Sequence, residues 1–116
     1  GINAEYGGGM AQQDQTQNRL QTEQTDMLKE MMQITQSDFP DDSKKIIQQI
    51  VCLAIYRNNT EKEISFAIKR SMDQQFQDHF NVVVGRHFGA NLTATVERFV
   101  YAQVGTLQVL IFKSQC

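Results

Sequence analysis

The chain is poor in the features that mark secreted, membrane or nucleic-acid-binding proteins. Among its 116 residues there are only two cysteines, Cys52 and Cys116, too few and too far apart for a disulfide framework or a zinc site. A reducing compartment such as the cytosol is the expectation that follows. No apolar run approaches the roughly 20 residues that cross a bilayer, and no charged-then-apolar leader opens the sequence. With 11 basic and 13 acidic residues the net charge is −2, so the basic footprint of a nucleic-acid binder is missing. Glycine numbers 7, far below a collagen-like repeat. What is present is a hydrophobic fraction of 41%, enough to build the core of one small domain.

That apolar content is unevenly spread. Residues 1–31 hold Gly7-Gly8-Gly9 and a Gln- and Thr-rich run in which Leu20 is the single large apolar residue before Met27. Such a stretch buries too little surface to offset its ordering entropy, and it reads as a flexible Gln-rich extension. Leu20, Met27, Leu28 and Met31 nevertheless fall at helical spacing, which permits a helix formed against a partner. Met27, Met31 and Met32 suit either an adaptable contact surface or an anchor for the chain entering the core. The globular domain is expected over residues 32–116.

Two helices open it. Pro40 followed by Asp41 and Asp42 is a start signal: a proline near the first turn and acids where the helix dipole favours them. Ile46, Ile47, Ile50, Val51, Ala54 and Ile55 then form an apolar stripe that Asn58-Asn59 breaks. Thr60 and Glu63 have capping-box spacing, and Ile64, Ala67, Ile68, Met72 and Phe76 carry the second helix. Beyond Gln77 the period changes to 2. Strands are predicted over 80–84, 88–93, 99–104 and 107–113, the last two joined by a Gly105-Thr106 turn, with a weaker one over 32–36. The predicted class is α+β, two helices packed on one face of a small antiparallel sheet.

Strand alternation then exposes a problem. Val100, Ala102 and Val104 share a face with Leu107, Val109 and Ile111, which two helices can cover. Phe99, Tyr101, Leu110 and Phe112, diluted by Gln103 and Gln108, fall on the other face. That face is too apolar to be left in water, and a second subunit or a bound peptide is the economical cover.

The segment Val84-Gly85-Arg86-His87-Phe88-Gly89, with Phe99-Val100-Tyr101, Ile111-Phe112-Lys113-Ser114 and the helix junction Glu61-Lys62-Glu63-Ile64, resembles the dynein light chains of the eight-kilodalton, hub-forming class. The resemblance spans residues 32–114. It implies a symmetric dimer in which strand 88–93 crosses to complete the partner's sheet, with grooves that accept extended peptides by strand addition. The dimer contact it implies comprises Asn81, Val82, Val83, Val84, Gly85, Phe88, Asn91, Leu92 and Thr93. Peptide contact would fall to Glu61 and Lys62 at the helix start, Arg86 and His87 at the strand junction, Phe88, Gly89, Ala90, Asn91, Leu92 and Thr93 on the exchanged strand, and Phe99, Tyr101, Gln103 and Leu110 on the groove floor. The partners it implies are dynein intermediate chains and, for the dimer, the chain itself or a related light chain. Neither nucleic acid nor membrane is among them. Cytoplasm and cytoskeleton are the implied locations.

Some positions depart from the family pattern. Ala90 and Asn91 stand where a small hydroxyl and an aromatic residue are usual, Gln103 replaces an aromatic, and Asn81 replaces a titratable interface histidine. The backbone frame carries over, while the usual Thr-Gln-Thr ligand preference does not carry over with it. The polar extension and altered pockets lean toward a dedicated motor subunit, such as one of a ciliary outer-arm dynein in the axoneme, over a general hub for non-motor partners. An enzyme reading would have to use His79, His87 and Cys52, which lack ligand or triad spacing. Gly85 and Gly89 are followed by neither a Lys-Ser pair nor a helix start, so they are no phosphate loop. No catalysis, cofactor or metal is expected.

Overall fold

A computed structural model describes residues 2–86 and 97–114, with side chains described from residue 16 onward. The order is α1 (Ile2–Met31), β1 (Met32–Ser37), α2 (Asp41–Arg57), α3 (Glu61–Phe76), β2 (Phe80–Gly85), β3 (Val100–Val104) and β4 (Leu107–Lys113). The strands form one antiparallel sheet in the order β1-β3-β4-β2. The expected α+β architecture is therefore present. The exchanged strand expected over residues 88–93, with His87, lies outside the described residues.

Both domain helices follow their sequence signals. The α2 stripe delivers Ile47, Val51, Cys52 and Ala54 to the interior, and α3 delivers Ile64, Ile68 and Met72. Thr60 caps α3: its hydroxyl oxygen accepts from the Glu63 amide at 3.1 Å and its hydroxyl donates to Glu63 Oε1 at 2.9 Å. Val100, Ala102, Val104, Val109 and Ile111 meet these helices in one buried cluster, with Leu107 partly buried against it. The weak signal of β1 has a local cause, since its pairing with β3 shifts register between Ile34 and Gln36 and interrupts the alternation.

Residues 2–31 form α1, whose C-terminal half is docked on α2. Thr25 is 3% exposed, its hydroxyl satisfied within its own helix by the Gln21 and Thr22 carbonyls. Gln21 Oε1 accepts from Arg57 at 3.0 and 3.2 Å, and Gln48 donates to the Lys29 carbonyl at 3.2 Å. Tertiary contact thus supplies what the segment's own apolar content does not. Met32 is buried and anchors the chain, whereas Met27 and Met31 stay exposed.

The start of β3 is pinned where the sequence gives no sign of it. Arg98 takes a left-handed backbone conformation (φ 50°), unusual for a residue other than glycine. The Asp38 carboxylate holds it there, accepting from the Arg98 and Phe99 amides at 2.9 and 2.8 Å. As a result β3 begins at Val100, one residue later than predicted.

Candidate functional site: an open sheet edge beside an uncovered apolar face

β2 lies at one edge of the sheet, bonded on one side to β4. The Ser114 amide donates to the His79 carbonyl at 2.7 Å, which makes this the hydrogen-bonded kind of antiparallel pair. Since such pairs alternate, Asn81, Val83 and Gly85 turn their main-chain groups toward β4, opposite Phe112, Leu110 and Gln108. Phe80, Val82 and Val84 turn theirs outward. The Phe80 amide confirms the phase, because it donates to Asp73 Oδ1 on α3 at 2.8 Å and not to a strand. Among the described residues, no strand pairs with the outward groups of Val82 and Val84. An edge of this kind is a template for another strand.

Among the described residues, the face beside that edge is the one the helices leave uncovered. Cross-strand register aligns Val83, Leu110, Tyr101 and Gln36 in one row and Gly85, Gln108, Gln103 and Gln33 in the next. None of these residues belongs to the helix-covered core. Val83 is 44% exposed, while Tyr101, Gln103 and Leu110 are half-buried. Gln103 therefore sits in a band of glutamines and not in an aromatic floor.

Glu61 and Arg86 come together, their charged groups 4.0 Å apart at the α3 start and the end of β2. Both are half-exposed, so the pair contributes little to stability and leaves its charges available. Lys62 lines a concavity of about 530 Å³ with Thr60 and Phe66. Phe99 is half-buried, its carbonyl accepting from the Ser37 hydroxyl at 2.8 Å. Asn81 is exposed, and Val82 and Val84 are partly buried against the core. Phe88, Gly89, Ala90, Asn91, Leu92 and Thr93 fall outside the described residues, as does His87.

Sequence reasoning missed a cluster at the Phe80 end of this edge. Arg98 lies over the rings of Phe39, Phe76 and Phe80, with Cζ 5.6, 5.7 and 5.5 Å from their centroids. It donates to Asp78 Oδ2 at 2.8 Å. Asp38 and Phe39, the 76–80 stretch and Arg98 are three segments far apart in the chain, and no spacing rule joins them. The His79 amide bonded to Asp78, aided by Arg98 and Lys113, holds the Asp78 carboxyl below its ordinary value of 3.8 despite opposing desolvation. A depressed folded value means stabilisation that is complete above the unfolded pKa and lost as pH falls through the folded one. Asp78→Asn is therefore expected to lower stability at neutral pH, with the difference from the parent shrinking as pH falls below about 4 and toward the folded value. Urea melts at pH 7 and pH 3 check this.

Burial pushes the Cys52 thiol up to about 11, leaving it protonated and a poor nucleophile at neutral pH. Among the described residues no group of three His, Cys, Asp or Glu is placed to hold a metal ion.

A family model described as dynein light chain type 1 matches residues 31–114. The chain belongs to that family. It is 36% identical over 78 residues to a dynein light chain 1, cytoplasmic, from Candida glabrata, covering 67% of this chain and 91% of that one. Its fold is similar to the dynein light chain-like domain of the Fasciola hepatica calcium binding protein FhCaBP2, with TM-score 0.63, 10% identity, and 74% and 94% of the two chains covered. The corresponding domain of CsTAL3 also gives TM-score 0.63, at 11% identity and 72% and 93% coverage. This dynein light chain is non-catalytic, and its interest lies in what its open edge and uncovered face hold.

Proposed function

We propose that this dynein light chain dimerises by exchanging strand 88–93 across the β2 edge, and that the dimer holds extended segments of dynein intermediate chains by strand addition. The carrying observation is the pair of outward-facing residues Val82 and Val84 beside the Val83-Leu110-Tyr101 row. One partner strand satisfies the main-chain groups, and the partner's own sheet face covers the apolar row. Two parallel grooves would then align two copies of a disordered chain, with bivalency supplying avidity. In this reading residues 1–31 are an extension of a light chain domain that spans 32–116. The long polar extension and the changed pocket residues Ala90, Asn91 and Gln103 support a dedicated subunit of a ciliary outer-arm dynein, placed on the axoneme. The similarity to a protein named as a cytoplasmic dynein light chain supports a cytoplasmic and cytoskeletal location.

Sedimentation of the full chain at micromolar concentration is expected to show a dimer, with itself or a co-expressed related light chain. A folded monomer under both conditions would overturn the reading. Calorimetry then probes the groove. A generic Thr-Gln-Thr peptide is expected to bind weakly, because Ala90 offers no side-chain hydrogen bond and an unpaired buried ligand group costs roughly 1–3 kcal/mol. Ala90→Ser combined with Asn91→Tyr is expected to restore affinity. Tight binding of that peptide by the parent chain would indicate a general hub instead.

A further inference from the structure

Three of the large apolar side chains left exposed lie on α1: Leu20, Met27 and Met31, at 48, 57 and 52% exposure. They are not scattered. At about 100° per residue, positions 20, 24, 27 and 31 fall within an arc of roughly 60° on the helix surface. With Gln17 they make the sequence Gln17, Leu20, Gln24, Met27, Met31, alternating steps of three and four residues. This is the spacing of a coiled-coil seam.

The contact with α2 does not use this seam. It engages Gln21, Thr25 and the Lys29 carbonyl, positions centred about 130° around the helix from the middle of the stripe. Rolling α1 to bury the seam would expose Thr25 and break the Gln21–Arg57 and Gln48–Lys29 bonds. At its C-terminal end the seam reaches the hairpin turn, where the Met31 methyl lies 3.1 Å from the point a Cβ on Gly105 would occupy. The stripe is therefore held in a fixed direction, facing solvent.

Its flanks differ. On one side stand Gln21 and Leu28, committed to the body of the domain. On the other stand Glu23 and Glu30, both exposed and in no ion pair among the described residues. Asp26 lies beside them with its charge met by Lys29 at 3.8 Å, and Arg19 is the basic residue at the N-terminal end of this flank. A second copy of α1 does not match this surface. In antiparallel pairing it would set Glu23 and Glu30 against their own counterparts. In parallel pairing it would offer them Gln21 and Leu28, which carry no charge.

We infer that α1 is a docking surface for an amphipathic helix of another protein, one with apolar residues at three- and four-residue spacing and Lys or Arg on the edge that meets Glu23 and Glu30. The apolar seam supplies the contact area, and the acidic rim selects orientation and partner. Gln17 and Gln24 interrupt the seam and require polar side chains opposite them, which fixes register. The site does not compete with strand addition, since α1 leads into β1 and β1 lies at the sheet edge opposite β2.

The test uses the full chain and synthetic three-heptad helical peptides with Leu along the seam, one with Lys flanks and one with Glu flanks. By fluorescence anisotropy at low salt the Lys-flanked peptide is expected to bind at least about tenfold more tightly than the Glu-flanked one. Leu20→Gln with Met27→Gln is expected to abolish binding while leaving the circular dichroism and the assembly state unchanged. Glu23→Lys with Glu30→Lys is expected to reverse the flank preference. Equal affinity for both peptides, or binding that survives Leu20→Gln with Met27→Gln, would overturn the inference. So would higher-order self-association that the same double substitution removes, since the occupant would then be a second copy.

Discussion

Proline at Val84 is expected to separate the subunits of the proposed dimer while leaving each one folded. The Val84 amide faces outward from β2, opposite Val109 in a pair that does not bond across to β4. Losing it therefore spares the internal ladder, and an edge strand tolerates proline with this orientation. An incoming strand loses one donor and meets the ring in its path. We expect the dimer dissociation constant to rise about 100-fold or more, read by sedimentation, with far-UV circular dichroism retained. Val82→Pro should act alike. Val83→Pro is the contrast, because the Val83 amide turns toward Leu110 on β4. Removing it costs roughly 3 kcal/mol or more of fold stability. If Val84→Pro dimerises as well as the parent, strand exchange along β2 is wrong.

Phe80→Ala is expected to be among the most destabilising single changes in the domain. Phe80 is fully buried, within 6.4 Å of Phe39 and 6.2 Å of Phe76, centroid to centroid, and it forms one wall of the Arg98 cage. Large-to-small changes at such sites cost about 3–5 kcal/mol, a large share of the roughly 5–15 kcal/mol that holds a typical domain folded. Part of the loss should be shared with Arg98, whose guanidinium lies over the same ring. A double-mutant cycle with Arg98→Ala, followed by urea unfolding, should give a coupling of about 0.5–2 kcal/mol. Strict additivity would mean that the cation and the ring act independently.

The two domain helices, the hairpin and the helix-covered sheet face were legible because each rests on a local rule. Ile47, Val51 and Ala54, or Val100, Ala102 and Val104, repeat at the period of their own element, and burial then follows that period. The uncovered face was legible for the same reason, since Tyr101 and Leu110 alternate with the core residues. The family resemblance came from short runs around Val84 and Phe99, and it named Glu61 and Arg86 separately as expected peptide contacts.

Other features depend on partners distant in the chain. Arg98 is held by Asp38, 60 residues before it, and by Asp78, 20 residues before it. Its left-handed backbone conformation has no local motive, and the two amide bonds to Asp38 help to repay it. The outward phase of Val82 and Val84 was equally hidden, because hydrogen-bond phase is set by the pairing with β4 and not by side-chain alternation. Helix α1 is the fullest case. Its composition argued for a flexible tail, and that argument holds for an isolated segment. Packed on α2, Thr25 is buried and Gln21 accepts from Arg57, a partner 36 residues away. By itself the sequence determined the two domain helices, the hairpin, the core and the family, all of which follow from residues close together in the chain. Only the tertiary structure decided which main-chain groups face outward, what pins β3 and which way the α1 seam points, because each depends on a partner brought from elsewhere by folding.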